Sequence, residues 1–202
     1  MDRKQVKSAW EDAASDYARV RPVDGDDAAL VRDLVESLGP DATVLDVGCG
    51  DGMRTLSNMG GVTALGLDVA RTQVEMAAGN VPSAHLLQGD MVSIPLADDS
   101  VDAITAYHAV FHVQREDHPA VYREFARLLR PGGTVLLTVG SSAYERVRAD
   151  WLGTGREMFF STPGQRETVR QLEDAGFDIR WQRRVEDPLG STVPFVLADL
   201  PE

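Results

Sequence analysis

Lysine is nearly missing from this chain of 202 residues: it occurs at Lys4 and Lys7 and nowhere later. Cysteine occurs once, at Cys49. Each shortage excludes functions. A P-loop nucleoside triphosphatase, a pyridoxal-phosphate enzyme and a lysine-dependent short-chain dehydrogenase all need a lysine in the body of the domain. A single cysteine rules out an internal disulfide and any metal site built from several thiolates. Positive charge is also scarce, with 20 Lys and Arg against 32 Asp and Glu and a formal net charge of −12. General nucleic-acid binding needs a basic face to neutralise phosphates, so this balance argues against it. Aspartate outnumbers glutamate 21 to 11. Such a surface suits a high-salt cytoplasm, where self-repulsion is screened, or equally a genome rich in G and C that encodes arginine over lysine. No apolar run approaches the length of a membrane span, and Met1-Asp2-Arg3-Lys4-Gln5 lacks a signal-peptide core. The expected location is the cytoplasm.

The composition that remains is that of one globular domain, 43% hydrophobic and 26% charged. Residues 3–19 read as a helix with Val6, Ala9, Trp10, Ala13, Ala14 and Tyr17 along one face. Arg21-Pro22 breaks it, and a second helix runs from Asp24 to Leu38, stopped by Gly39-Pro40. Strands are expected at 43–47, 62–67, 84–88, 101–107 and 134–139. Helices are expected after Gly52, over 71–79, over 117–129 and over 164–175, with final strands near 177–185 and 193–199. Residues 141–162 read as a long irregular connection carrying Trp151, Leu152, Met158, Phe159 and Phe160, which suggests a lid or substrate wall. Strand–helix alternation at this spacing implies an α/β domain with a mostly parallel sheet and helices on both faces. The single domain 1–202 divides into an N-terminal helical cap (1–40), a ligand-binding core (41–140) and a lid or substrate wall with the C-terminal strands (141–202). No repeat, coiled coil or basic tail is present.

Ligands in such sheets sit beyond the carboxyl ends of the strands, at the switch point beside the first strand. The first strand ends in Val44-Leu45-Asp46-Val47-Gly48-Cys49-Gly50-Asp51-Gly52. The next strand ends deliver Asp68, then Asp90-Met91, then Tyr107-His108. Four consecutive strands thus bring a polar residue to one edge. The acid ending the second strand is placed to accept from ribose hydroxyls. A pyrophosphate site would be expected to keep carboxylates out of the glycine turn, whereas Asp46 and Asp51 sit in or beside this one. The dinucleotide fingerprint also fails, because its sixth position counted from Gly48 is Met53.

These residues resemble the class I S-adenosylmethionine-dependent methyltransferases, closest to small single-domain members of the type 11/25-like group that act on small molecules. VLDVGCGDG (44–52) resembles the first motif of that family and LGLDVA (65–70) the second. QGDMVSIPLADDSVDAI (88–104) resembles the third and fourth, and LLRPGGTVLLTV (128–139) the strand-five signature. The resemblance implies a Rossmann-like class I methyltransferase fold, with a seven-stranded mostly parallel sheet in the order 3-2-1-4-5-7-6. It implies S-adenosyl-L-methionine as cofactor and S-adenosyl-L-homocysteine as product. Gly48 and Gly50 would admit the methionine part, with Cys49 between them, and Asp46 would accept from its ammonium directly or through water. Asp68 would hold the ribose hydroxyls, Asp90 the adenine amino group, and the Met91 backbone would contact the ring. Val69 would pack on an adenine face. Tyr107 would border the methionine end and the acceptor, and Tyr17, or Arg21 or Arg54, would close over the cofactor or meet its carboxylate.

Several of these residues have plainer readings. The glycines could simply make a tight turn, and Cys49 fits a small buried filler, since neighbouring carboxylates oppose a thiolate. His108 and His112 lie four apart with His118 beyond, but no further ligand set accompanies them, so no metal is expected. His112, with Tyr107 and His108 beside it, is the candidate catalytic group, as a general base or as a loop histidine held by a hydrogen bond. The function expected is methyl transfer to a small organic acceptor by in-line displacement. The alternatives are a S-adenosylmethionine-binding sensor or partner subunit without turnover, and a nucleotide-linked oxidoreductase on a similar sheet.

Overall fold

The apolar runs between glycine- and proline-marked breaks become strands, and the amphipathic segments between them become helices. The computed structural model describes residues 1–187 and 191–202. Two helices, α1 (Arg3–Val20) and α2 (Asp26–Glu36), precede β1 (Thr43–Val47). Then follow β2 (Thr63–Asp68), α3 (Arg71–Asn80), β3 (His85–Gln88), β4 (Val101–Ala106), α4 (His118–Leu128) and β5 (Leu129–Thr138). The chain continues through β6 (Ala143–Arg148), β7 (Met158–Pro163), α5 (Gln165–Asp174), β8 (Asp178–Asp187) and β9 (Ser191–Asp199). Seven strands form one sheet in the order β3-β2-β1-β4-β5-β9-β8. The five from β3 to β5 are parallel, and β9 runs antiparallel between β5 and β8. With β6 and β7 set aside as a separate ribbon, this is the order 3-2-1-4-5-7-6 expected from the sequence.

The period-2 alternation of the central strands divides the core into two layers. Leu45 and Val47, Ile104 and Ala106, and Val135 and Leu137 face α4 and α5, where Val121, Phe125, Leu128 and Leu172 are fully buried. Val44, Ala103 and Leu136 face the opposite side and pack with Val31, Leu34 and Val35 of α2. At the carboxyl end of the sheet the chain runs outward from β1 to β2 and β3, then returns to β4. That reversal leaves a crevice between the loops after β1 and β4.

Two expectations are corrected. Residues 141–162 are not irregular: β6 and β7 pair as an antiparallel ribbon from Ala143↔Pro163 to Arg148↔Met158. The turn between them takes left-handed backbone at Asp150 and Leu152 and contains a short 3-10 segment, Trp151–Gly153. Only β7 is buried; β6 is largely exposed, which is why its sequence carries so weak an apolar signal. The helix expected after Gly52 is reduced to turns and a 3-10 segment, Leu56–Asn58.

The N-terminal helix begins with a capping box, Asp2 accepting from the Gln5 backbone and Gln5 from that of Asp2. It packs against α3 and β7. Helix α3 has no capping side chain of its own at Ala70. Glu11 of α1 supplies one, accepting from the backbone N–H of Arg71 at 2.7 Å and of Thr72 at 2.8 Å, and from the Thr72 hydroxyl at 2.7 Å. Desolvation opposes its charge, yet these donors hold its carboxyl below the usual range. Glu11→Ala is therefore expected to cost about 1 kcal/mol, the usual value of an N-terminal cap. It should also make residues 1–20 more sensitive to limited proteolysis, measured alongside thermal unfolding.

Candidate active site

The crevice at the switch point opens into a cavity of about 760 Å³, including its mouth. Its floor is the loop after β1. Gly48, at φ +76°, has no room for a side chain: a Cβ there would lie 2.5 Å from Cβ of Ala109. Gly50, at φ +55°, is not crowded: a Cβ there would make only an ordinary contact, with the Gln73 side chain at 3.9 Å. Bare backbone therefore faces the cavity at Gly50, the condition for close approach of a ligand. The loop is clamped to β2, since Gly48 and Cys49 both donate to the Leu67 carbonyl, at 2.7 and 3.0 Å.

Asp68 stands at the centre of this arrangement. Its side chain accepts from Gly50 N–H and Ala70 N–H, both at 2.9 Å, and it is only 8% exposed. Desolvation raises its pKa to about 6 against the pull of those backbone donors. At neutral pH the carboxylate still predominates, with acceptor capacity left on both oxygens. Val69, Asp90 and Met91 extend the wall. Asp90 accepts from Val92 N–H at 3.1 Å and meets Arg3 of α1 at 3.3 Å. Arg3 also meets Asp117 at 2.9 Å, so it straps α1 across this end of the cavity. The roof is a helical stripe, Arg3, Val6, Trp10 and Tyr17, spaced so that all four project to one side.

At the far end lie Tyr107, His108 and His112. Nδ1 of His112 is 2.8 Å from the Phe159 carbonyl of β7. A carbonyl only accepts, so Nδ1 carries the proton and Nε2 keeps its lone pair. Desolvation lowers the pKa of this ring to about 4, although the Phe159 bond favours the cation. Trp10 meets it edge-on at 5.0 Å, with Phe160 at 4.8 Å. His108 takes left-handed backbone at φ 52° and donates its N–H to the Thr138 hydroxyl at 2.7 Å. A non-glycine residue so held is a local strain of the kind found at binding sites.

Several sequence expectations change at this point. Tyr107 borders the cavity, but its hydroxyl donates to the Asp27 carbonyl at 3.0 Å and its ring packs on Phe195. Burial raises its pKa well above the ordinary value, and the hydroxyl anchors the loop to α2. Asp46 and Cys49 lie behind the loop and do not line the cavity. Asp46 accepts from the hydroxyls of Thr55 and, at 2.6 Å, Thr105, and desolvation raises its pKa to about 6. Burial also pushes the Cys49 thiol up, which suits the filler reading. Arg54 is bound to Asp27 and to the Pro22 carbonyl, away from the cavity, while Arg21 lies 5.7 Å over the Tyr17 ring. Trp151, Met158 and Phe160 back Trp10, Tyr17 and His112 instead of forming the cavity surface. His118 is directed to the Val113 carbonyl at 3.0 Å. Among the described residues no three His, Cys, Asp or Glu side chains gather as a metal ion would need.

Sequence reasoning overlooked Arg3, Glu11 and Gln73. Arg3 extends the stripe of Val6, Trp10 and Tyr17 by one turn, so the helical period contained the signal. Gln73 occupies a buried position on α3, one turn from Ala77, where an apolar residue would be expected.

The cavity suits a nucleoside cofactor that brings positive charge. Among the described residues lining it, Arg3 is the only arginine or lysine, and it is engaged with two aspartates. Desolvated carboxylates at Asp68 and, behind the loop, Asp46 set a negative field that a phosphate would oppose and a sulfonium would relieve. The glycine loop, Asp68 and the orphaned Gln73 amide all fit a nucleoside bearing an amino-acid tail. Gly48→Ala is expected to cost about 2–4 kcal/mol through overlap and left-handed strain, lowering the melting temperature by of order 10 °C in a calorimetric scan.

Comparison with known proteins agrees. A methyltransferase-domain family matches residues 45–137. Methyltransferase GfsG of Streptomyces halstedii is 36% identical over 205 residues, covering 93% of this chain and 70% of the relative. A malonyl-[acyl-carrier protein] O-methyltransferase of Serratia marcescens is 28% identical, covering 75% of this chain and 59% of the relative. Among solved structures, a SAM-dependent methyltransferase of Methanosarcina mazei superposes with a TM-score of 0.74 at 21% identity, covering 84% of this chain and 98% of the other. The Burkholderia thailandensis 1,6-didemethyltoxoflavin-N1-methyltransferase, solved with 1,6-didemethyltoxoflavin and S-adenosylhomocysteine, has a TM-score of 0.74 at 19% identity and covers 98% of this chain and 88% of the other. With its sheet order, its glycine loop and a relative 36% identical along most of its length, the chain belongs to the class I S-adenosylmethionine-dependent methyltransferases.

Proposed function

We propose that the protein transfers a methyl group from S-adenosylmethionine to a small, uncharged, largely apolar organic acceptor by in-line displacement. One observation carries this reading: a single cavity joins Gly50, Asp68 and Val69 at one end to His108, His112, Trp10 and Tyr17 at the other. Bound there, S-adenosylmethionine supplies a methyl group already activated on a sulfonium. In this reading Gly48 and Gly50 offer backbone to the methionine part and Asp68 holds the ribose hydroxyls. Val69 packs on adenine, while Asp90 and the Met91 backbone meet its edge. Asp46 and Cys49 act from behind the loop, Asp46 through its field. Tyr17, with Trp10, closes the cavity over the transfer site and excludes water.

His112 is the proton acceptor in this reading. Its Nδ1 is held by the Phe159 carbonyl, which leaves the lone pair on Nε2. A hydroxyl that gains a methyl group becomes strongly acidic as the new bond forms, so a base of low pKa suffices to take its proton. His108 shapes the same end of the cavity. Orientation and exclusion of water supply the rest of the acceleration. The scarcity of basic residues supports a small molecule over a nucleic acid, and the 1,6-didemethyltoxoflavin bound to the Burkholderia protein supports an acceptor of that scale. No helix among the described residues is long and apolar enough to cross a membrane, in keeping with work in the cytoplasm. Residues 1–40 act as cap, 41–140 as cofactor core and 141–202 as supporting wall of one unit.

Calorimetry with S-adenosylhomocysteine tests the cofactor site, and Asp68→Ala should weaken binding by more than about tenfold. Affinity requires the ionised carboxylate, so in the wild type it should be flat above pH 7. It should then fall as pH drops through about 6, the raised pKa of Asp68. Unchanged affinity in the variant would remove the ribose assignment. Labelled methyl transfer into small-molecule fractions of a cell extract would identify the acceptor; cofactor binding with no labelled product would favour the sensor reading. With that acceptor, His112→Gln should lower turnover by about 10²-fold while leaving S-adenosylhomocysteine affinity nearly unchanged.

A further inference from the structure

We propose that Gln73 is a cofactor-binding residue whose side-chain amide pairs with a ribose hydroxyl beside Asp68, an inference that rests on the cofactor reading above. Gln73 is the third residue of α3 and 1% exposed. Both Nε2 and Oε1 are buried without a hydrogen-bond partner among the described residues. Native interiors rarely leave an amide so, because a donor and an acceptor then both lose water and gain nothing. The position does not demand glutamine for folding: the next buried residue on this face of α3 is Ala77, and a methionine or leucine would fill the same volume. The amide belongs instead to the cavity wall.

Its location selects the group it would meet. Oε1 lies 3.9 Å from where a Cβ on Gly50 would stand, and the Gly50 N–H is the group that donates to Asp68. Gln73, Gly50 and Asp68 therefore meet at one corner of the cavity. An amide with an unused donor and an unused acceptor matches a hydroxyl, which is both. The cofactor's carboxylate would use only the donor, and its ammonium only the acceptor. Of the two neighbouring ribose hydroxyls, one can donate to Asp68 and accept from Nε2 of Gln73, while the other donates to Oε1. Asp68 and Gln73 then complement each other: the acid supplies acceptors only, and the amide adds the missing donor.

The test is calorimetry on the full chain, wild type and Gln73→Met, with S-adenosylhomocysteine and its 2′-deoxy and 3′-deoxy ribosyl analogues. The variant should bind S-adenosylhomocysteine roughly 5–10-fold more weakly, the size of one hydrogen bond. Loss of one ribose hydroxyl should cost it less than it costs the wild type. Without ligand the variant should melt no lower than the wild type, since it removes an unpaired buried amide; a purely structural role would lower that melting point instead. Gln73→Leu serves the same purpose should the methionine variant not fold. Equal affinity for S-adenosylhomocysteine, or identical deoxy penalties in both proteins, would overturn the assignment. A wild type that binds no S-adenosylhomocysteine would remove the cofactor reading itself, whereas tight wild-type binding with an unaffected variant removes only the role of Gln73.

Discussion

Two backbone N–H groups from different segments, Gly50 after β1 and Ala70 after β2, converge on one buried carboxylate, Asp68. The glycine loop cannot hold its own shape, because its residues lie outside any helix and three of its glycines have left-handed backbone. It is held from outside, by Asp68 and by the Leu67 carbonyl, which takes the N–H groups of Gly48 and Cys49. The last two residues of β2 thus fix the loop of the neighbouring strand. Hydrogen bonds to a charged acceptor are worth about 1.5–3 kcal/mol each, and here they offset part of the desolvation that burial imposes on the carboxylate. The same side chain keeps lone pairs for a ligand. Structure and recognition are therefore coupled at Asp68: whatever displaces it loosens the floor on which the cofactor rests.

The electrostatics follow from that choice. Asp46 and Asp68 are both desolvated, the charge of Asp68 further opposes ionisation of Asp46, and Arg3 is already engaged at the rim. A site for a pyrophosphate would need the opposite arrangement, with free N–H groups at a helix N-terminus and no carboxylate close by. In this protein the Gly50 and Ala70 N–H groups are already spent on Asp68, and the first N–H groups of α3 on Glu11. The donors that would cradle a phosphate are occupied by the chain's own acids. That accounts physically for why a glycine loop on this sheet serves a sulfonium cofactor.

The part of the site that depends on local order was legible in the sequence. Strand ends are marked by apolar runs stopping at Asp46, Asp68 and Asp90, and the parallel sheet carries these ends to one edge, so Gly50, Asp68, Val69 and Met91 all line the cavity. What could not be read is where a side chain turns once it arrives. The Tyr107 hydroxyl finds a carbonyl on α2, 80 residues earlier, and Asp46 turns toward Thr55 and Thr105 behind the loop. Both outcomes depend on which sheet face a strand-end residue points to and on a partner remote in sequence. The β6–β7 ribbon escaped for another reason: with β6 exposed on nearly every residue, no alternation marks it. Its burial falls on β7 alone, through Met158, Phe159 and Phe160.

The cavity is unequally supported above and below. Below it, the glycine loop sits on fully buried strands whose residues Val44, Leu45 and Val47 admit no solvent. Above it, α1 is attached by Glu11 to α3, by Arg3 to Asp90 and Asp117, and by Trp10 and Tyr17 to the Trp151 cluster. The Arg3 pairs are exposed, and pairs of that kind contribute about 0–1 kcal/mol each. The aromatic contacts add more, yet they join α1 to the hairpin turn and to His112 after β4, not to a strand of the sheet. The rigid groups that must be placed to within a fraction of an ångström thus belong to the sheet, and the groups that exclude water belong to a helix whose removal would leave the sheet core intact.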